Sequence, residues 1–314
     1  MFTILRQAFR RTAQHWQIVL LIFLTNLVLG LFLAFPAFNI LQQSSDNSLI
    51  FNNLVNDFDF TVFNDFLNKC GKSLPPLLPV SLALTGIYVL LNIFFSGGIL
   101  SQFTLRNTFN LSDFLKNSAH YFLPFLAIFL IQLVFIIFAF ATSIALFGIF
   151  GVIANESTEP TFMAWMLLPS GFMFYYFTYL LNIGDYARVI LHRDTLLNPW
   201  KAFWKASRYV FQNFKTMQVY WAVLIVIFVF ILIYLSIESS IGMKSGFTIW
   251  LMLLVQQVFI FVRVFARIWN LSNAYDYVSL RPIPLTEKPV IVEPTAEDEN
   301  ENDRDEASEN KLSE

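Results

Sequence analysis

The chain has 314 residues, of which 56% are hydrophobic and only 13% charged. That is too apolar for an average soluble domain and calls for lipid as solvent. The formal net charge of −2 conceals an asymmetry, because residues 293–314 hold ten acidic and two basic side chains and leave eighteen basic and twelve acidic in the rest. A single cysteine, Cys70, excludes an intramolecular disulfide framework and a cysteine-built zinc site.

A helix needs about 20 mostly apolar residues to cross the hydrocarbon core. Six such runs follow one another, at 18–35, 77–100, 122–149, 162–183, 219–237 and 247–268. The sequence therefore predicts an all-α polytopic membrane bundle of six transmembrane helices over residues 1–281, followed by a disordered acidic tail at 282–314. The first run is as long as a true span and lacks a small-residue cleavage site, so it is read as a retained helix and not a signal peptide. Between the first two runs lies an outer loop, 36–76. There Phe58, Phe60, Val62, Phe63, Phe66 and Leu67 alternate with Asp57, Asp59, Asn64 and Asp65 in the pattern of a short interfacial helix or cap. Gly97 and Gly98 are read as the C-cap of the second span, Ser112 and Asn198 as N-caps, and Pro124 as a first-turn proline of the third span.

Orientation follows from the basic residues, which are retained on the cytoplasmic side. Seventeen Lys and Arg fall on one side of the predicted spans, against Lys69, Lys72 and Lys244 on the other. This places both termini in the cytoplasm of a protein integral to the plasma (inner) membrane. Trp16, Trp165, Trp200, Trp221, Trp250 and Trp269 all fall near span ends, where amphipathic rings prefer to sit.

A weak repeat precedes alternate spans: FTILRQAFRRTAQHW, LSDFLKNSAHYFLP and NPWKAFWKASRYVFQNF. Each mixes aromatic residues at helical spacing with cations and runs into an inward-to-outward span. The expected architecture is three parallel repeats of an interfacial helix plus a helical hairpin. Gly98 and Gly184 end corresponding spans, and the interfacial helices form a cationic collar suited to anionic headgroups. Parallel repeats differ from the inverted ones common in alternating-access carriers.

Ionisable residues within a membrane segment are costly and default to functional candidates. Asp185 and Arg188 are three residues apart at the end of the fourth span, and Arg263 and Arg267 four apart at the end of the sixth. Each pair shares a helix face. An ion pair of Asp185 with Arg263 or Arg267 is the expected structural role, and a lipid-headgroup or anion contact at Arg188, Arg263 and Arg267 the functional one. The deeper polar residues are neutral amides, with Asn92, Gln132, Asn182 and Gln256 as the candidate polar interior and Asn26 and Gln257 beside them. No carboxylate, Lys or His occupies a span centre, which disfavours a proton-driven carrier. His15, His120 and His192 lack metal-ligand partners at i+3 or i+4, and no phosphate loop, dinucleotide fingerprint or nucleophile elbow occurs. Neither enzymatic activity nor a cofactor is expected.

The pair Gly97 and Gly98 before Arg106, the aromatic stretch running to Tyr121 and Pro124, and the segment from Asp185 to Arg188 before Ala206 and Tyr209 give the chain a further likeness. Over residues 1–275 it resembles bacterial six-span proteins related to the membrane domain of glycerophosphodiester phosphodiesterases. In that family the phosphodiesterase chemistry belongs to a separate soluble domain, so the resemblance implies architecture and no activity. The leading functional reading is a non-enzymatic scaffold, assembly factor or lipid-interacting module. The alternative is a transporter or channel for a small or lipidic solute, and a membrane-embedded lipid enzyme ranks third. Expected partners are the bilayer, with anionic lipids at the cytoplasmic face, and a protein partner through the acidic tail or outer loop. Nucleic acid is not expected.

Overall fold

The computed structural model describes residues 2–44, 60–70, 75–104, 109–241 and 245–282. The expectations that concern Arg106, Lys72, Lys244, residues 45–59 of the outer loop and the acidic tail lie outside these residues. One compact unit, Met1–Ile283, holds the helices.

Among the described residues there are nine helices and no strand: α1 Phe2–Gln14, α2 Trp16–Ser44, α3 Phe60–Cys70, α4 Leu77–Thr104, α5 Leu111–Ala154, α6 Glu159–Arg193, α7 Pro199–Gln212, α8 Lys215–Ser240 and α9 Gly246–Leu280. Five of them, α2, α4, α5, α8 and α9, are long and apolar enough to cross a membrane. The remaining predicted span, 162–183, lies inside the 35-residue α6. That stretch carries Pro169, Ser170, Gly171, Tyr175, Tyr176 and Tyr179, which dilute its apolar character.

The local chemistry differs from the sequence expectations at several helix ends. α2 continues through Pro36 to Ser44 and does not stop at residue 35. α5 is one helix of 44 residues, roughly 66 Å long at 1.5 Å per residue, so the middle interfacial stretch and its span are fused. Pro124 therefore sits in a helix interior and not in a first turn. Its N-cap is Asn110, whose side chain accepts from the Ser112 N–H at 3.0 Å, in place of the expected Ser112. Asn198 does occupy the N-cap position of α7, followed by Pro199, but its side chain makes no capping bond. The first and final interfacial stretches stay separate from their spans. The chain breaks at His15 between α1 and α2, and at Asn213 and Phe214 between α7 and α8.

Gly97 and Gly98 are not a C-cap, because α4 continues to Thr104. They let α4 lie directly on α5: a Cβ on Gly97 would sit 2.9 Å from Tyr121 Cβ, and one on Gly98 would collide with the Phe114 ring and Ser118. Gly184 has the same effect between α6 and α5, where a Cβ would collide with the carboxamide of Gln132. Small residues of this kind permit close helix approach where no water drives the association.

Contacts fix the helix directions. Ser101 near the end of α4 meets His192 near the end of α6 at 3.2 Å, and Arg193 donates to the Val278 carbonyl of α9 at 2.7 Å. The first residues of α5 pack on the last turns of α4, and Arg281, just past α9, donates to Asn213 just before α8 at 3.1 Å. Thus α4, α6 and α9 run toward one end of the bundle and α2, α5 and α8 away from it. We refer to this as the basic end. The core lies here, in the buried runs Phe95 to Phe103, Ile183 to Leu191 apart from Asp185, and Val264 to Val278 with few interruptions, sealed by Ile18, Phe114, Phe125 and Ile128. Toward the opposite end the same helices expose Phe35, Leu82, Ile137, Phe138, Phe228 and Leu254. Such a girdle of exposed apolar side chains is soluble only in lipid.

Candidate functional site

Where the packed half gives way to the open half, two adjoining lobes of about 410 and 390 Å³ share six lining residues: Tyr88 and Asn92 from α4, Asp185 and Arg188 from α6, and Arg263 and Arg267 from α9. Helical spacing gathers them. Tyr88 and Asn92 are four apart on one face, as are Arg263 and Arg267, and Asp185 and Arg188 are three apart. The first lobe is completed by Ile22, Asn26, Phe95, Ile99, Ile260 and Leu271, and the second by Phe129, Gln132, Ile136, Tyr220, Leu224, Ile227 and Asn270. The result is a chamber with a cationic waist, its apolar lining interrupted by Asn26 and Ser96 in the first lobe and by Gln132, Tyr220 and Asn270 in the second.

The charges at the waist are arranged unequally. Asp185 accepts from Arg188 at 3.0 Å, so the expected pairing of Asp185 with Arg263 is not the one formed. A partner one turn along the same helix is already held in place, whereas Arg263 reaches in from another helix. Arg188 is only 8% exposed, and its Nε has no hydrogen-bond partner. Arg263 and Arg267 line both lobes and make no ion pair among the described residues. Arg263 and Arg267 are exposed where Arg188 is buried, and three guanidinium groups against one carboxylate leave a net charge of +2 at the waist, an arrangement that favours an anion.

Of the four amides expected in the interior, two reach the chamber. Asn92 lines both lobes, with its side-chain amide donating to the Tyr88 carbonyl at 2.7 Å. Gln132 lines the second lobe, donates to the Leu180 carbonyl at 3.2 Å, and keeps a buried Oε1 with no partner. Asn182 is buried instead against Met217, to whose sulfur it donates at 3.3 Å. Gln256 is a correction, because it is exposed on the outer face of α9; the neighbouring Gln257 turns inward with a buried Oε1. One residue is 100° of helix, so adjacent glutamines cannot share a face. Tyr88, Tyr220 and Asn270 were not legible as site residues individually. Tyr88 and Asn270 lie at i−4 and i+3 from Asn92 and Arg267, a spacing that could have pointed to them.

The basic end also carries a clasp. Arg11 of α1 pairs with Asp276 of α9 at 2.8 Å and lies 4.9 Å from the Tyr275 ring centroid. Trp269 donates to the Leu5 carbonyl at 3.1 Å, and Phe9 packs edge-on against Phe265 and Trp269. The amphipathic α1 is therefore seated on protein along one side. By contrast α7 buries Ala202, Phe203, Ala206 and Val210 and exposes Trp200, Trp204, Arg208 and Phe211, spaced by four, four and three residues along its outer face. That is a cationic aromatic stripe of the interfacial kind.

His192 sits beside Ser101 and the Tyr121 ring, and burial pushes its imidazole down to about 4, so it is neutral at pH 7. The Tyr209 phenol is pushed up to about 12 by burial and donates to the Arg281 carbonyl at 3.2 Å. Among the described residues no three His, Cys, Asp or Glu side chains gather as a metal site. Compared with protein-family models, curated proteins and solved structures, the chain matches none.

Proposed function

We propose that this is a non-enzymatic integral membrane protein of six spans that engages anionic lipid at its cytoplasmic basic end, as a lipid-interacting or assembly module. The observation that carries the reading is the chamber at whose waist Arg188, Arg263 and Arg267 outnumber Asp185. Its depth fits. Arg263 lies 17 residues into α9, roughly 26 Å along the helix, which is near the far boundary of a hydrocarbon core about 30 Å thick.

Six spans are supported by parity. α1 is seated on the C-terminal part of α9 through Arg11 and Asp276, so both ends of the compact unit lie on one side. An even number of crossings does this, and α6, packed alongside α5 and pointing the opposite way, supplies the sixth. The distribution of seventeen basic residues against three then favours a cytoplasmic position for that side. α1, the first turns of α5, and α7 each lead into a helix running away from the basic end, in keeping with three repeated units. Gly98 and Gly184 differ in detail, since Gly98 faces the start of α5 and Gly184 faces Gln132 further along it. The likeness to the membrane domain of glycerophosphodiester phosphodiesterases belongs to this proposal as an architectural kinship.

The test is native mass spectrometry of the full chain released from mild detergent. Replacing Arg188, Arg263 and Arg267 together by Gln is expected to weaken anionic-lipid retention roughly tenfold, about 1.4 kcal/mol. Unchanged retention would sink the reading. A second reading, transport of a small or lipidic anion, is favoured by the meeting of the two lobes at the arginines. It predicts flux of an anionic solute across proteoliposomes that the same triple substitution abolishes.

A further inference from the structure

The charge at the waist is specific enough to select a ligand class. Arg188, Arg263 and Arg267 minus Asp185 give +2. Arg188 is buried whereas Arg263 and Arg267 are exposed, and a ligand of −2 is the one that answers the whole charge of the waist. A phosphodiester headgroup carries −1 and leaves half of the waist unanswered. A phosphomonoester carries about −1.5 to −2 at pH 7, and neighbouring guanidinium groups draw it toward the full dianion. Arg263 and Arg267 are one helical turn apart on α9, which lets both planar forks close on one compact group of terminal oxygens instead of two separated carboxylates. Arg188, already occupied on one side by Asp185, keeps a buried Nε–H without a partner. Above and below the waist the lobes are lined by Ile22, Ile99 and Leu271 on one side and by Ile136, Leu224 and Ile227 on the other. Asn26 and Ser96 interrupt the first surface and Gln132, Tyr220 and Asn270 the second, and the apolar stretches between them suit a hydrocarbon chain. At about 410 and 390 Å³ each lobe falls within the ordinary range of small-molecule sites.

We propose that the ligand of this chamber is an amphiphile with a dianionic phosphomonoester head, held by Arg263 and Arg267 with Arg188 behind them. This rests on the lipid-site reading above and adds charge selection to it.

The experiment is a competition followed by native mass spectrometry. The full chain in mild detergent is offered phosphatidate and phosphatidylglycerol with identical acyl chains, with and without excess glycerol 3-phosphate or succinate. The intact protein is expected to prefer phosphatidate about tenfold. Arg263→Gln or Arg267→Gln lowers the waist to +1 and should erase that preference. Arg263→Lys keeps the charge but loses the planar fork, and should retain part of the preference where Arg263→Gln retains none, which separates charge from folding. Asp185→Asn raises the waist to +3 and should leave phosphatidate bound. Equal retention of both lipids by the intact protein, with both lost in Arg263→Gln, would overturn dianion selection while leaving the lipid site standing. Retention indifferent to every arginine substitution would instead remove the site itself. Displacement by glycerol 3-phosphate at concentrations matching the lipid would overturn the amphiphile part, and displacement by succinate would overturn the choice of phosphate.

Discussion

The two ends of this bundle are built on different terms. At the basic end, glycines bring α4 and α6 into contact with α5, and Ile183, Tyr186, Phe114 and Leu100 are almost wholly enclosed. At the opposite end, Gly148 and Gly151 of α5 have no other side chain within 4 Å, and Ile137, Phe138 and Phe228 face outward. Both ends are apolar by sequence, so hydrophobicity alone does not decide which half packs. The difference lies in small residues that permit close approach and in polar groups that find partners across helices, which is what association within lipid depends on. The charged chamber sits at the seam. It has enough packing behind it to hold Asp185 and Arg188 in place, and enough opening before it to admit a ligand.

The largest test of that contrast exchanges glycines. Gly98→Ala at the packed end forces a methyl group into the Phe114 ring and Ser118, and should destabilise the protein by roughly 2–3 kcal/mol. Gly151→Ala, with open space around it, should be neutral or stabilising by up to about 1 kcal/mol through helix propensity alone. Thermal unfolding in a single detergent checks both. Equal effects would mean that the two halves are packed alike.

A somewhat smaller effect is expected at the clasp. Asp276→Ala strands a half-buried Arg11, and should cost about 2 kcal/mol, less than a fully buried pair because Arg11 stays 24% exposed to solvent. The readout is hydrogen exchange in α1, whose amides should lose protection while those of α5 do not. Uniform loss through the bundle would show instead that α1 is part of the core. This clasp marks the limit of what the sequence reveals. Apolar runs located the long helices, because lipid leaves a spanning chain no alternative to internal hydrogen bonding. Spacing put Asp185 with Arg188 on one helix face and Arg263 with Arg267 on another, since the faces of i, i+3 and i, i+4 pairs are fixed by helix geometry, and all four line the chamber. Partner choice across helices was not legible. Asp276 reads as one polar residue near a helix end, and only tertiary contact joins it to Arg11, 265 positions earlier. Gln256 and Gln257 failed for a related reason: the sequence gives two adjacent amides, and the rotation of α9, set by all its neighbours, decides which one turns inward.

The smallest expected effect concerns pH and separates the ends once more. His192, wedged at the basic end between Ser101 and Tyr121, titrates near 4 because burial disfavours its charged form, whereas an unfolded histidine titrates near 6.5. Between those values the unfolded chain binds more protons than the folded one, so stability falls as pH drops from about 6.5 toward 4 and is unaffected by this group above that window. Discounted for the partial exposure of the ring, the loss should reach about 1 kcal/mol by pH 5. His192→Asn removes the proton-binding group, so its unfolding midpoint should change less between pH 7 and pH 5 than that of the unsubstituted chain, measured in parallel. An identical change in both proteins would place the acid sensitivity elsewhere. The opposite end has no histidine among its described residues, so protease nicking induced by mild acid should begin at the basic end, at the junction of α6 and α7, before the distal turns of α5 and α8 are cut.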